Sequence, residues 1–331
     1  MAALALAAVI IIQPKPAAAP DNPIPIKKTS KPLTTIFFAG DIMLSRNVAR
    51  AMYKANDFNL PFAKVADEIK KASIAFANLE SPFSDQGQHF VEGSLIFNAD
   101  PKSAEGLKSA GFDILSTANN HTLDQDQAGL KFTYNLLSQN GIAPIGTTLD
   151  CHNGKILAAG GMKFGFLAYT YGLNGKGPTQ DVCDTTDLKQ VAADITKLKT
   201  QVDQVIVNMH AGTEYTRNPT PAQIAFAHAA IDAGADLVVG EHPHWVQTVE
   251  QYKGKWIFYS LGNLVFDQMW SQETREGLTL LVTYNKTEIQ KIELRPVIID
   301  DYCCPRWATD DETKNILAKI NLTSPILFPH N

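Results

Sequence analysis

The chain has 331 residues, 45% hydrophobic and 19% charged, which is enough apolar material to bury one large core or two modest ones. A net charge of −5 excludes the broad basic footprint of a nucleic-acid binder or of a protein drawn to anionic lipid. Any recognition of a polyanion must therefore be local.

Residues Ala2 to Ile12 form an unbroken apolar run, followed by a stretch rich in Pro, Lys and Ala that extends to about Pro32. The run is too short to span a bilayer as it stands and has the length of the apolar region of a secretory signal. No Lys or Arg precedes it, however, and Pro20 directly follows the small-residue site at Ala17 and Ala19. The expectation is an export signal or membrane anchor whose start lies upstream, followed by an extended tether. This would hold the body outside a membrane.

From residue 33 to about 300 strand and helix patterns alternate. Thr35–Ala39 reads as a strand, Ser45–Lys54 and Ala63–Lys71 as helices, and Ser73–Ala77 as the next strand. Ala104–Ala110 and Phe112–Ser116 repeat the unit, and Asp126–Gln139 is a helix stopped by Asn140-Gly141. Strands follow around Lys155–Ala159 and Lys163–Thr170, then a helix over Leu188–Val202 and the strand Gln204–Asn208. A helix carrying Ile224, Ala227, His228 and Ile231 on one face ends at Gly234, before the strand Asp236–Val239. Thr248–Tyr252, Trp256–Tyr259, Thr279–Tyr284 and Ile289–Val297 are separated by turn signals and read as antiparallel hairpins. Parallel units followed by such a meander imply two sheets packed face to face with helices outside, in one α/β domain and a C-terminal tail from 301 to 331. Cys151, Cys183, Cys303 and Cys304 lack C-x-x-C spacing, which argues against a zinc ribbon or thioredoxin motif. In an exported protein Cys151 and Cys183 are candidates to pair, but sequence does not fix connectivity.

Candidate metal-binding side chains recur at the expected carboxyl ends of strands. Asp41 follows Gly40; Asn78 and Glu80 lie two apart and point the same way. Asn119, Asn120, His121 and Asp124 form a strand-to-helix loop, and His210 ends a strand with Glu214 close behind. His242 and His244 flank Pro243, which biases His242 toward extended backbone, so that both imidazoles project to one side. Each signal alone also fits a humbler role: a helix cap for Asp41, a solvated turn for Glu80, a structural turn for Asn119 to His121, and a satisfied core histidine for His210. Their joint placement at strand ends points to a metal site, because ligands in an open α/β sheet bind beyond those ends. Ser260 lacks the G-x-S-x-G pattern and reads as a turn residue.

Phe38–Leu44, Ala77–Glu80, Ala118–Asp124, His210–Tyr215, Ala233–His244 and Tyr259–Asp267 together resemble the CapA family of poly-γ-glutamate capsule biosynthesis proteins, relatives of the calcineurin-like metallophosphoesterases. The resemblance covers about residues 34 to 270. It implies a four-layer αββα sandwich and one or two divalent metal ions, of which Mn, Fe, Zn and Co all suit mixed carboxylate, carboxamide and imidazole donors. Carried over by position, Asp41 and His244 hold one metal, Asn120, His210 and His242 the other, and Glu80 bridges them. His121 is then a proton donor or oxyanion contact, and Glu214 a base or substrate anchor. The chain departs from the wider pattern at Met43, where phosphoesterases place a histidine, at Ala211, where the family commonly has Trp, and at Asp126, which replaces a common Gly. The resemblance implies an envelope-associated hydrolase or transferase acting on an anionic polymer. The alternatives are a phosphoesterase with another substrate and a non-catalytic partner of a membrane-bound polymer synthase.

An apolar run followed by a Pro-rich tether has no amphipathic face with which to dock on a folded body. Removal of residues 1 to 32 is therefore expected to leave the melting temperature unchanged, and a drop of many degrees in a thermal scan would place the segment in the core.

Overall fold

The computed structural model describes residues 33–147, 150–172, 181–286 and 288–320; the expected leader and tether, and the end of the expected tail, lie outside them. The first part of the body contains β1 (Thr34–Ile42), α1 (Arg46–Ala55), α2 (Ala66–Ile69), β2 (Ile74–Leu79), α3 (Ser103–Ala110), β3 (Ile114–Ser116), α4 (Asp126–Gln139) and β4 (Ala143–Ile145). The middle part adds β5 (Lys155–Ala159), β6 (Met162–Thr170), α5 (Leu188–Lys199), β7 (Gln204–His210), α6 (Pro221–Asp232) and β8 (Leu237–Glu241). The last part supplies β9 (Val249–Tyr252), β10 (Lys255–Phe258), β11 (Asn263–Val265), α7 (Gln272–Arg275), β12 (Glu276–Tyr284), β13 (Ile289–Asp300), β14 (Cys304–Trp307) and α8 (Asp310–Ala318).

These strands form an eight-stranded sheet in the order β14-β13-β12-β1-β2-β3-β4, with β11 beside β1, and a six-stranded sheet in the order β5-β6-β7-β8-β10-β9. Period-two alternation explains how they stack. In β1, Ile36 and Phe38 enter the apolar layer between the sheets, whereas Phe37 and Ala39 face a second layer beneath α1 and α3. In β7, Ile206 points to the inter-sheet layer, and Val205, Val207 and Met209 pack with Val191, Ile195, Phe226 and Ala230 of α5 and α6. Strands buried on both faces need near-continuous apolar sequence, and β1, β2 and β7 have it. The result is the expected four-layer αββα sandwich.

The structure departs from the sequence reading in particular places. The helix expected over Ala63–Lys71 shrinks to α2, because Pro61 starts a separate 3-10 turn at Leu60–Phe62. The short strand β4 was not foreseen; it extends the sheet by pairing with β3. Two expected hairpins are present, β9–β10 and β12–β13, but they belong to different sheets, and β10 also runs parallel to β8. Beyond residue 300, β14 pairs with β13, and α8 begins with a capping box of Thr309 and Glu312. Cys151 is bonded to Cys183, and Cys303 to Cys304.

One close approach determines where β1 delivers its carboxyl end. The Asp41 N–H donates to the Gly262 carbonyl at 3.0 Å, and a Cβ at Gly40 would lie 1.8 Å from that same oxygen. Only glycine lets β1 and β11 meet there. Gly40→Ala is expected to cost about 2–3 kcal/mol, in the upper range of overpacking, measured as a lowered denaturant midpoint with an unchanged slope.

Candidate metal centre

The parallel strands of both sheets deliver their carboxyl ends to one place. Asp41 lies near the end of β1 and is paired in register with Asn78 of β2; Glu80 follows β2 directly. Asn120 and His121 lie in the loop after β3, His210 is the last residue of β7, and His242 and His244 follow β8. Asp41, Glu80, Asn120, His121, His210 and His244 are all buried.

Ligand atoms of Asp41, Glu80 and His244 all lie within 4.8 Å of one another. His244 Nε2 is 3.8 Å from Glu80 Oε1, and its Nδ1 is 3.5 Å from Asp41 Oδ2 and 2.9 Å from Asn263 Oδ1. With Nδ1–H donating to Asn263, the Nε2 lone pair is turned toward Glu80, the orientation a metal-ligating imidazole needs. A second group adjoins this one. His210 Nε2 is 2.9 Å from Asn120 Oδ1, its Nδ1 is 3.6 Å from Asp41 Oδ1, and its ring centroid is 4.8 Å from that of His242. Asn78 Nδ2 donates to Asp41 Oδ1 at 2.7 Å and lies 3.1 Å from His210 Nδ1. Asn119 supports it, donating to Asn78 Oδ1 and to the Leu79 carbonyl. His121 Nδ1 is 2.7 Å from Asp124 Oδ2, its Nε2 is 3.7 Å from Glu80 Oε1, and its ring stacks on Phe97 at 3.8 Å.

The expectation of extended backbone at His242 is not met. His242 has φ 97° and His244 φ 56°, conformations that cost an L-residue about 1–3 kcal/mol each. A sharp turn follows β8 instead, held where the His242 N–H donates to Asp41 Oδ2 at 3.3 Å and the Tyr215 N–H donates to the Pro243 carbonyl at 2.9 Å. Beyond this turn the His242 ring lies 4.8 Å from that of His210 and 6.2 Å from that of His244.

The strongest chemical test of a metal is Glu80. Both its carboxylate oxygens are buried without a hydrogen-bond donor, and an isolated buried carboxylate costs several kcal/mol. Burial first, then the negative charge of Asp41, pushes the Glu80 carboxyl well above its ordinary range. At Asp41 burial also pushes upward, but the His244 hydrogen bond and the charges of His210 and His244 outweigh it and hold the carboxyl low. Burial pushes His210 well down and, with help from His244, brings His242 down to about 4. Neutral imidazoles beside carboxylates, one of them lacking any donor, suit a divalent cation.

Glu214, the other sequence candidate, is exposed and lines a cavity of about 1020 Å³ together with His121, His244, Arg46 and Trp270. Ser260 is buried and its Oγ accepts the Gly262 N–H at 3.1 Å, as a turn residue does. Sequence reasoning missed Arg46, Asn263 as the partner of His244, and Glu241. Glu241 is fully buried; one oxygen accepts from Asn208 Nδ2 at 2.6 Å and the other has no partner.

The family model described as bacterial capsule synthesis protein PGA_cap matches residues 35–268. The capsule biosynthesis protein CapA of Bacillus anthracis is 30% identical over 338 residues, covering 95% of this chain and 82% of its own length. The PGA biosynthesis protein CapA of Bacillus subtilis (strain 168) is 29% identical over 286 residues, covering 83% of this chain and 74% of its own. In fold, the chain is similar to the crystal structure of a phosphatase from Mycoplasma pneumoniae, with a TM-score of 0.52 and 15% identity, covering 87% of this chain and 100% of the other.

A raised carboxyl such as Glu80 stabilises the metal-free fold below its ordinary value of 4.5 and ceases to do so as pH rises through its higher folded value. A bound cation offsets that loss. The rise in melting temperature on adding Mn²⁺ or Zn²⁺ is therefore expected to grow from pH 5 to pH 8, and Glu80→Ala is expected to abolish both the rise and the metal content measured by elemental analysis.

Proposed function

Because the chain belongs to the bacterial capsule synthesis family PGA_cap, we propose that it is an envelope-associated, metal-dependent hydrolase or transferase of poly-γ-glutamate capsule biosynthesis. The observation that carries this reading is the buried, donor-less Glu80 carboxylate set among Asp41, His244 and His121. In the proposed assignment Asp41 and His244 would hold one divalent ion and Asn120, His210 and His242 a second, with Glu80 shared between them. When bound, such an ion, whether Mn, Fe, Zn or Co, would supply Lewis-acid chemistry: a water of lowered pKa and polarisation of the bond attacked.

The chain's own residues supply the rest. Asp124 fixes His121 through Nδ1, so that Nε2 faces the centre and can hand a proton to the leaving group. Phe97 excludes water from one face of that imidazole. Glu214 stands at the cavity wall, where it can take up a proton. The two disulfides support an oxidising, extracytoplasmic location. No helix among the described residues is long and apolar enough to cross a membrane, so the proposed anchor is the apolar leader. The anionic polymer is the proposed substrate, and a membrane-bound polymer synthase the proposed partner. The fold likeness to a phosphatase favours, as a second reading, the same centre acting on a phosphoester.

The test pairs metal analysis with turnover on poly-γ-glutamate and on a phosphodiester. His121→Asn is expected to keep fold and metal and to lose about 10²–10⁴-fold in kcat, the usual contribution of a positioned proton donor. Metal-loaded protein that turns over neither substrate, or a His121→Asn variant that supports normal capsule production, would replace the enzyme with a non-catalytic assembly partner.

A further inference from the structure

We propose that Arg46 binds a single anionic group of the substrate beside the metal centre, and that the remainder of the cleft turns further anions away. The inference rests on the reading of the centre given above and names the substrate feature it selects: one carboxylate of a γ-glutamyl chain, next to the bond attacked.

Among the described residues that line the large cavity, Arg46 is the only lysine or arginine. Its guanidinium has five N–H donors; one nitrogen pairs with Asp267, and another donates to the Ser94 carbonyl at 3.2 Å. The group lies 4.9 Å from the centre of the Phe97 ring and 5.5 Å from that of Phe266. Phe97 packs on His121 at 3.8 Å, and Phe266 on His244 at 4.7 Å. Two ring contacts, by either route, thus separate the guanidinium from the candidate metal centre. Arg46 also has φ 54°, a conformation that arginine holds only when its surroundings impose it. Here the Arg46 N–H donates to the His89 carbonyl at 2.8 Å, and Asp267 is itself held by Asn47. A cation fixed in direction, with donors to spare, on the wall of a reaction cavity is suited to fork-like recognition of a carboxylate.

The rest of the wall differs in kind. Glu214 lines the same cavity without a lysine or arginine partner there, while Leu95, Ile96 and Trp270 are 77%, 63% and 60% exposed. A chain bearing one carboxylate per unit would meet Arg46 once and then apolar and acidic wall. The cleft therefore favours the end of such a chain, or a short oligomer, over an interior segment.

Binding, which needs no turnover, tests this separately from the hydrolase reading. Metal-loaded full-length protein is titrated calorimetrically with γ-glutamylglutamate, with its trimethyl ester, which has no carboxylate, with a γ-glutamyl hexamer and with inorganic phosphate. Arg46→Gln is expected to weaken γ-glutamylglutamate binding by about 10–100-fold and to leave binding of the trimethyl ester unchanged, with Arg46→Lys recovering part of the loss. Equal weakening for ester and acid, or no weakening, overturns the assignment of Arg46. Arg46-dependent binding of phosphate that is tighter than that of the dipeptide overturns the carboxylate in favour of a phosphoester. If Arg46→Gln does not fold, the exposed Glu214→Gln decides. It is expected to raise the affinity for the hexamer several-fold relative to the dipeptide, and an unchanged ratio overturns the proposal.

Discussion

Two carboxyl groups, Asp41 and Glu80, are buried side by side, and among the described residues no lysine or arginine side chain pairs with either. Proteins rarely tolerate this, because removing such charges from water costs more than packing returns. The surrounding architecture can be understood as managing that cost. Two amides, Asn78 and Asn119, brace one carboxylate; three imidazoles approach from the second sheet; and a strained turn at His242 brings a backbone N–H to the same oxygen pair. The sandwich brings together candidate ligands that are more than two hundred residues apart in sequence.

This arrangement also explains why the centre lies between two sheets and not in a loop cluster. Strand ends are fixed by ladder hydrogen bonds on both sides, so Asp41 is held by β2 and β11 at once. Loops contribute where adjustment is useful: Glu214 and Trp270 are exposed at the cavity wall. A rigid floor and an exposed rim suit a site that holds its groups in fixed geometry while its walls adapt to what binds.

The sequence carried much of this in legible form, because strand alternation and strand-end placement are local signals. β1, β2 and β7 are apolar runs of ordinary length, and each ends close to a candidate ligand. What could not be read is what depends on distant partners. β4 has only three residues, too few to set a period. The parallel pairing of β10 with β8 is invisible in a segment that also looks like half a hairpin. Arg46 acquires meaning only from Asp267, 221 residues away. His242 misled because Pro243 restricts its neighbour's backbone without selecting among the conformations that remain.

The position of β1 has a consequence for how the chain reaches its native state. It lies at the centre of the larger sheet, between β2, its neighbour in sequence, and β12, which begins more than two hundred residues later. The first strand made therefore waits with one edge unpaired until nearly all of the body exists, and closing so long a loop is slow. An apolar open edge kept waiting is an aggregation hazard, so productive folding depends on keeping the early half of the chain from self-association until its last hairpin arrives. That delay is built into the topology of the larger sheet.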